Sequence, residues 1–194
     1  MMNLAEYRRK GTRLADYLPW AALVAAGVVL NKDGSFQRTA RFRGPDLDSA
    51  VAAELVAVAG RLNNAFRRLG SGWAIFVEAQ RIAAADYPDS RFPDPASALV
   101  DAERRAAFAE QGVHFQSEYF LTFLYLPPAE EAARAETWLY EGREKTGIDT
   151  GEVLRGFIDR TDRVLALFDG FMPECRWLDD SETLSYLHST VSTH

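Results

Sequence analysis

Few residues of this chain have the type and spacing that chemistry needs. A phosphate-binding loop of the form G-x-x-x-x-G-K-[ST] surrounds phosphates with backbone amides and reaches their charge with the lysine. Gly142-Arg-Glu-Lys-Thr-Gly147 supplies both glycines. Ile148 and Asp149 then stand where Lys and Ser/Thr are required, and an aspartate there repels phosphate. The stretch also follows a predicted helix instead of a strand, so it reads as a helix–helix turn. The three histidines, His114, His188 and His194, have no second histidine or cysteine at ligand spacing. Cys175 is the only cysteine, which excludes an internal disulfide and suits a reducing compartment. Two residues from Trp177, it reads as a small buried hydrophobe, not a nucleophile.

Two further groups invite a chemical reading. Asp179-Asp180-Ser181-Glu182 could pair acids, but acids at a helix start meet its positive end, and that is the simpler account. Phe115, Tyr119, Phe120, Phe123 and Tyr125 could stack on single-stranded bases. Such a platform is normally ringed by basic residues, whereas Leu121, Leu124 and Leu126 make this run look like core. The net charge of −6 and pI near 5.1 also argue against nucleic acid as the main partner. No catalytic, cofactor-binding or metal-ligating residue is therefore assigned.

The elements that would hold these residues follow from periodicity and breakers. With 194 residues and 47% hydrophobic composition, the chain is long enough to bury roughly 70% of its unfolded surface. Residues 1–18 read as a basic extension, with Arg8, Arg9, Lys10 and Arg13 between Leu4, Tyr7, Leu14 and Tyr17. The apolar run Leu18–Leu30 has 13 residues and contains Pro19 and Gly27, short of the ~20 a membrane-spanning helix needs. No cleavable signal is visible, and the expectation is a soluble, cytoplasmic chain that meets a membrane only peripherally.

Residues 19–194 read as a single α+β domain. Val28–Leu30, a turn at Asn31-Lys32-Asp33-Gly34 and a return strand from Ser35 to Phe42 make an N-terminal β-hairpin. Asp48 or Ser49 would cap a helix whose stripe is Val51, Leu55, Val58, Leu62, Phe66 and Leu69, ending at Gly70. Trp73–Ile82 reads as a strand with Trp73, Ile75 and Val77 on one face. Asp94-Pro95 opens a helix carrying Leu99, Val100 and Phe108 and stopping at Gly112. Tyr119–Leu126 lacks alternation, which predicts a strand covered on both faces. Helices are predicted from about Ala129 to Tyr140 and from Asp149 onward, the latter burying Leu154, Phe157, Ile158, Thr161, Leu165 and Phe168. A strand at Glu174–Leu178 and a helix capped by Asp180-Ser181 complete a mainly antiparallel sheet with helices packed on it.

Three stretches taken together resemble a known family. Gly27-Val-Val-Leu-Asn-Lys-Asp-Gly-Ser-Phe-Gln-Arg-Thr-Ala-Arg-Phe-Arg-Gly-Pro-Asp-Leu47 is similar to the opening of the CagE/TrbE/VirB ATPases of conjugation and type IV secretion, and most like the TrbE type. Tyr119–Pro128 and Leu184–Thr190 are similar to further segments of that family. The resemblance implies the non-catalytic N-terminal region of a larger motor whose Walker motifs, ATP and Mg lie in a later domain; neither motif occurs here. It implies a position at the cytoplasmic face of the bacterial inner membrane, with inner-membrane subunits and neighbouring copies as partners. The family pattern does not assign docking residues. Arg8, Arg9, Lys10 and Arg13, with Asp33 and Gly34 of the hairpin, are the candidates for partner or membrane contact. The alternative reading is a nucleic-acid-binding domain of the conjugation machinery.

Overall fold

The computed structural model describes residues 13–84, 87–110, 114–128 and 150–192. The helix expected from Ala129 to Tyr140 and the Gly142–Gly147 turn lie outside the described residues, as do Arg8, Arg9, Lys10 and His194. In chain order the elements are α1 (Leu14–Tyr17), β1 (Trp20–Ala25), β2 (Val28–Asn31), β3 (Phe36–Arg43), α2 (Ala52–Phe66), β4 (Trp73–Ala84), α3 (Pro95–Glu110), β5 (His114–Tyr125), α4 (Thr150–Ala166), β6 (Glu174–Trp177) and α5 (Asp180–Ser189). This is the expected α+β fold with an antiparallel sheet.

The six strands run in the order β1-β2-β3-β5-β4, and β6 also pairs with β3. β2 covers the first part of β3, with Val28 opposite Arg38 and Leu30 opposite Phe36. β6 covers the rest of the same strand, from Ala40 opposite Trp177 to Arg43 opposite Glu174. The expected hairpin is β2–β3. The apolar run before it, too short to cross a membrane, folds instead as β1 and β2 joined by a turn at Gly27.

The described chain divides into two compact units. The first contains the described residues up to Val77 and from Phe120 onward, and the second is Glu78–Tyr119. β4 and β5 each contribute residues to both.

The first unit has three layers. On one face of its strands, α2 and α4 bury Ala65, Leu69, Val164, Leu165 and Phe168 against Ala40, Leu121 and Phe123. Phe157 of α4 packs on Val28, Leu30 and Phe36. On the other face, Tyr186 and Leu187 of α5 pack on Val29, Phe120 and Leu178. Side chains alternate across a strand, so Phe120 and Leu121 serve opposite layers. That is why this run shows no polar alternation, and Phe120 through Phe123 are all buried as expected.

Several sequence expectations shift. Helix α2 starts at Ala52, because the Glu54 carboxylate accepts from the Val51 amide (3.1 Å) while the Asp46 carboxylate is used in a turn with the Asp48 amide. Its apolar stripe is only half used: Leu69 is buried, while Val51 and Leu55 are exposed. Val77 is also exposed, unlike Trp73 and Ile75, which pack on the core. The cap of α5 is Asp179, which accepts from the Glu182 amide (2.8 Å). Asp94 does cap α3, accepting from the amide and hydroxyl of Ser97 (both 2.9 Å). Those bonds hold its carboxyl below the usual range.

In the second unit α3 buries no residue. Phe108 stacks on His114 at 3.7 Å between centroids and meets Tyr87 edge-on. Tyr87 donates to Asp101 (2.8 Å), and the Arg105 guanidinium lies over the Tyr87 ring. Leu99 and Val100, expected on a packed face, are exposed.

Candidate functional site

The residues with chemical potential resolve into structural roles. Cys175 is half-buried, and burial, then Asp169 and Glu174, push its thiol up to about 12. A thiol held protonated cannot attack. His114 is bonded to the Phe108 carbonyl (2.7 Å) and stacked on its ring. Among the described residues no group of three His, Cys, Asp or Glu could hold a metal ion.

The acidic run before α5 is a joint. Asp179 and Glu182 exchange hydrogen bonds in a capping box. The Asp180 carboxylate accepts from the Gly27 amide (2.7 Å). Glu182 forms a fork with Arg176 (2.7 and 2.8 Å), and that guanidinium, then the Asp179 amide, hold its carboxyl at about 2. Gly27 has φ +63, and a Cβ there would collide with the Leu178 carbonyl oxygen. Only glycine lets the β1–β2 turn approach the strand end so closely.

A second polar joint was not legible as a site. Arg38 sits on the packed face of β3, 9% exposed. It donates to Asp162 (2.7 Å) and Thr161 (3.2 Å) of α4 and lies 4.0 Å from the centroid of the Trp177 ring. Trp177 donates to the same Asp162 oxygen (2.7 Å). Burial lowers the arginine's pKa, opposed by Asp162. The cluster ties β3, α4 and β6 together. Its only sequence signal was an arginine at an inward position of an alternating strand.

The aromatic series splits. Phe120, Phe123 and Tyr125 belong to the core clusters, as expected. Phe115 and Tyr119 are exposed, with the Arg81 guanidinium over the Phe115 ring at 4.5 Å. In the first unit Trp73, Tyr125 and Phe157 stack to floor an open depression rimmed by Glu152 and Arg160. It has no nucleophile and suits binding.

The hairpin and basic-extension candidates partly converge. Arg13 is exposed, and its amide donates to Asp16 (3.0 Å) at the start of α1. Asp33 is exposed but its carboxylate accepts from the amide and hydroxyl of Ser35 (3.0 and 2.6 Å). Gly34 is buried with φ +83, so it shapes the turn and offers no contact surface. The Lys32 amide donates to the Pro19 carbonyl and its ammonium to the Ala15 carbonyl (2.7 and 2.5 Å). The structure thus brings the end of the basic extension and the hairpin turn to one end of the first unit.

The profile of the family "Type IV secretion system ATPase VirB4/TrbE, N-terminal domain" matches residues 27–133. That is more than half of the chain. The chain belongs to the VirB4/TrbE family. It is 41% identical over 143 residues to the conjugal transfer protein TrbE of Rhizobium radiobacter, an alignment covering 72% of this chain and 17% of that protein. A second relative is the first of the pieces into which a probable conjugal transfer protein TrbE of Sinorhizobium fredii is divided. Identity to it is 42% over 139 residues, covering 70% of this chain and 93% of that one. The type IV secretion system protein virB4 of Brucella suis is 27% identical over 122 residues, covering 62% of this chain and 15% of that protein. The chain thus spans about a sixth of the length of two of these relatives and nearly all of the third. Two of the three segments that carried the resemblance, Gly27–Leu47 and Tyr119–Pro128, fall inside the matched range.

Proposed function

We propose that this VirB4/TrbE N-terminal domain is a docking and assembly module of a type IV secretion motor, acting in conjugal transfer. It links the motor to inner-membrane subunits and to neighbouring copies at the cytoplasmic face of the inner membrane. The full-length protein, in this reading, binds ATP and Mg in a later domain and hydrolyses ATP to drive pilus assembly or substrate transfer.

One observation carries the reading. A family named for an ATPase is matched over a domain whose sequence holds no Walker motif and whose histidines, acids and cysteine are engaged in packing and capping. A domain of this kind contributes through its surface. No helix among the described residues is long and apolar enough to cross a membrane, which accords with contact through a surface. The converging end of the first unit, with Arg13 and the turn before Ser35, is the docking candidate together with Arg8, Arg9 and Lys10.

The test combines two measurements. ATPase activity is measured for this chain beside a version extended along its parent reading frame; activity confined to the extended version is expected. Binding of the chain to vesicles carrying the machine's inner-membrane subunits is then compared for the native sequence and for R8E/R9E/R13E. Saturable hydrolysis by the short chain would overturn the reading, and unchanged binding of the triple variant would remove the basic segment from it.

A further inference from the structure

The two ends of the sheet differ in how they are finished. β1 closes one end with six residues, and its pairing with β2 slips twice, between Trp20 and Ala22 and between Leu23 and Ala25. Irregular, short edges discourage addition of another strand. β4 closes the other end with twelve residues, Trp73–Ala84, and among the described residues no strand lies beyond it. It has no proline and no lysine, and its only charges are Glu78 and Arg81. Phe76 and Val77 are 55% and 67% exposed. Ala79, Arg81 and Ala83 are exposed as well. A long, nearly uncharged edge is a template for another strand.

We propose that β4 is the surface through which two copies of this chain pair, antiparallel and about a twofold axis at Ala79. The inference rests on the assembly reading above and names the surface for it. The charges select both the occupant and the register. An isologous pairing sets each residue opposite its mirror position about the axis, with side chains on the same face. Centred on Glu78 the pairing opposes two carboxylates, and centred on Arg81 it opposes two guanidinium groups. Centred on Gln80 it sets Glu78 against Ile82. Centred on Ala79 it puts the smallest side chain against itself, Glu78 opposite Gln80, Val77 opposite Arg81 and Phe76 opposite Ile82. Glu78 already accepts from the Gln80 amide within the strand (3.0 Å), so carboxylate and amide are compatible neighbours there. Exposed Phe76 then gains an apolar partner of the kind that stabilises cross-strand pairs.

The experiment uses the whole 194-residue chain. The native thiol is half-buried and held protonated, so an introduced thiol at an exposed site is the reactive one. Under mild oxidation A79C is expected to form a disulfide-linked dimer in high yield. A83C is expected to form little, because in this register its two copies are offset by about eight residues, roughly 26 Å. By light scattering the native chain should dimerise with concentration. V77K, which sets a lysine opposite Arg81, should weaken that dimerisation roughly tenfold. V77K/R81E should restore it, which a folding defect would not do.

Equal cross-linking of A79C and A83C, or a dimer insensitive to V77K, means that copies meet elsewhere; this overturns the β4 surface and leaves the assembly reading in place. A chain that stays monomeric also overturns the β4 surface, and the assembly reading is then decided by the binding to inner-membrane subunits.

Discussion

Helices α3 and α4 have 16 and 17 residues, yet they hold their units by different means. α4 carries a stripe of large apolar residues and buries Phe157, Val164 and Leu165, with Thr161 inside the same face. α3 is rich in alanine, buries nothing, and relies on ring contacts and partly exposed polar bonds around Tyr87, Asp101, Arg105 and Phe108. The burial of apolar area dominates folding energy, and exposed polar pairs contribute little. The first unit should therefore unfold as the cooperative core of the chain, while the second opens at lower cost.

The sharpest test of this contrast removes the ring at its centre. Phe157 is 1% exposed and lies against Phe36 and Trp73 at 5.7 and 5.5 Å between centroids. F157A should cost about 3–5 kcal/mol, read as a fall in the denaturant midpoint. A loss below about 1 kcal/mol would mean that the three-layered unit is not the stability core. Next in size is Gly27. G27A forces a side chain into a left-handed backbone and against the Leu178 carbonyl, and should cost about 2–3 kcal/mol by the same measurement. A neutral result would show that the turn can retreat from β6 and that the Asp180 bond is dispensable.

The difference between the helices also explains what the sequence made legible. The stripe of α4, from Leu154 to Phe168, was readable because large residues at helical spacing have one physical use. So was the doubly covered Phe120–Phe123, since an unbroken apolar run needs cover on both faces. The apolar residues of α3, Leu99 and Val100, were read by the same rule and misplaced, because two residues do not make a stripe when the rest of the face is alanine. The N-terminal half of α2 failed likewise: Val51 and Leu55 continue the pattern beyond the end of the layer it packs on. Long-range polar joints were the least legible. Arg38 meets α4 across 124 residues of sequence, and Gly27 meets Asp180 across 153, distances that no local pattern encodes. Of the candidate contact residues, Asp33 and Gly34 were correctly placed in a turn, but their chemistry is consumed by the turn itself.

A smaller effect should separate the units directly. Phe108 anchors α3 between His114 and Tyr87, so F108A should raise amide exchange across α3 while leaving the exchange of α4 and α5 and the main unfolding midpoint within about 0.5 kcal/mol of native. Loss of protection in both units at once would show that they unfold together and that the contrast drawn from burial does not govern their dynamics.

The smallest effect concerns acid. Glu182 is held at about 2, first by Arg176 and then by the Asp179 amide, against an ordinary value of 4.5. A depressed carboxyl gives stability that is full above its unfolded pKa and is lost as pH falls from about 4.5 toward about 2. The side chain is 36% exposed and its arginine 45%, so solvent and salt screen the pair and the net contribution is under about 1 kcal/mol. E182Q should therefore lower stability slightly at neutral pH and flatten the acid limb of the stability curve between those values, with the difference shrinking in high salt. An acid limb identical in E182Q and native protein would assign the joint between β6 and α5 to apolar packing of Leu178, Tyr186 and Leu187, making the second face of the sheet as independent of charge as the face that α4 covers.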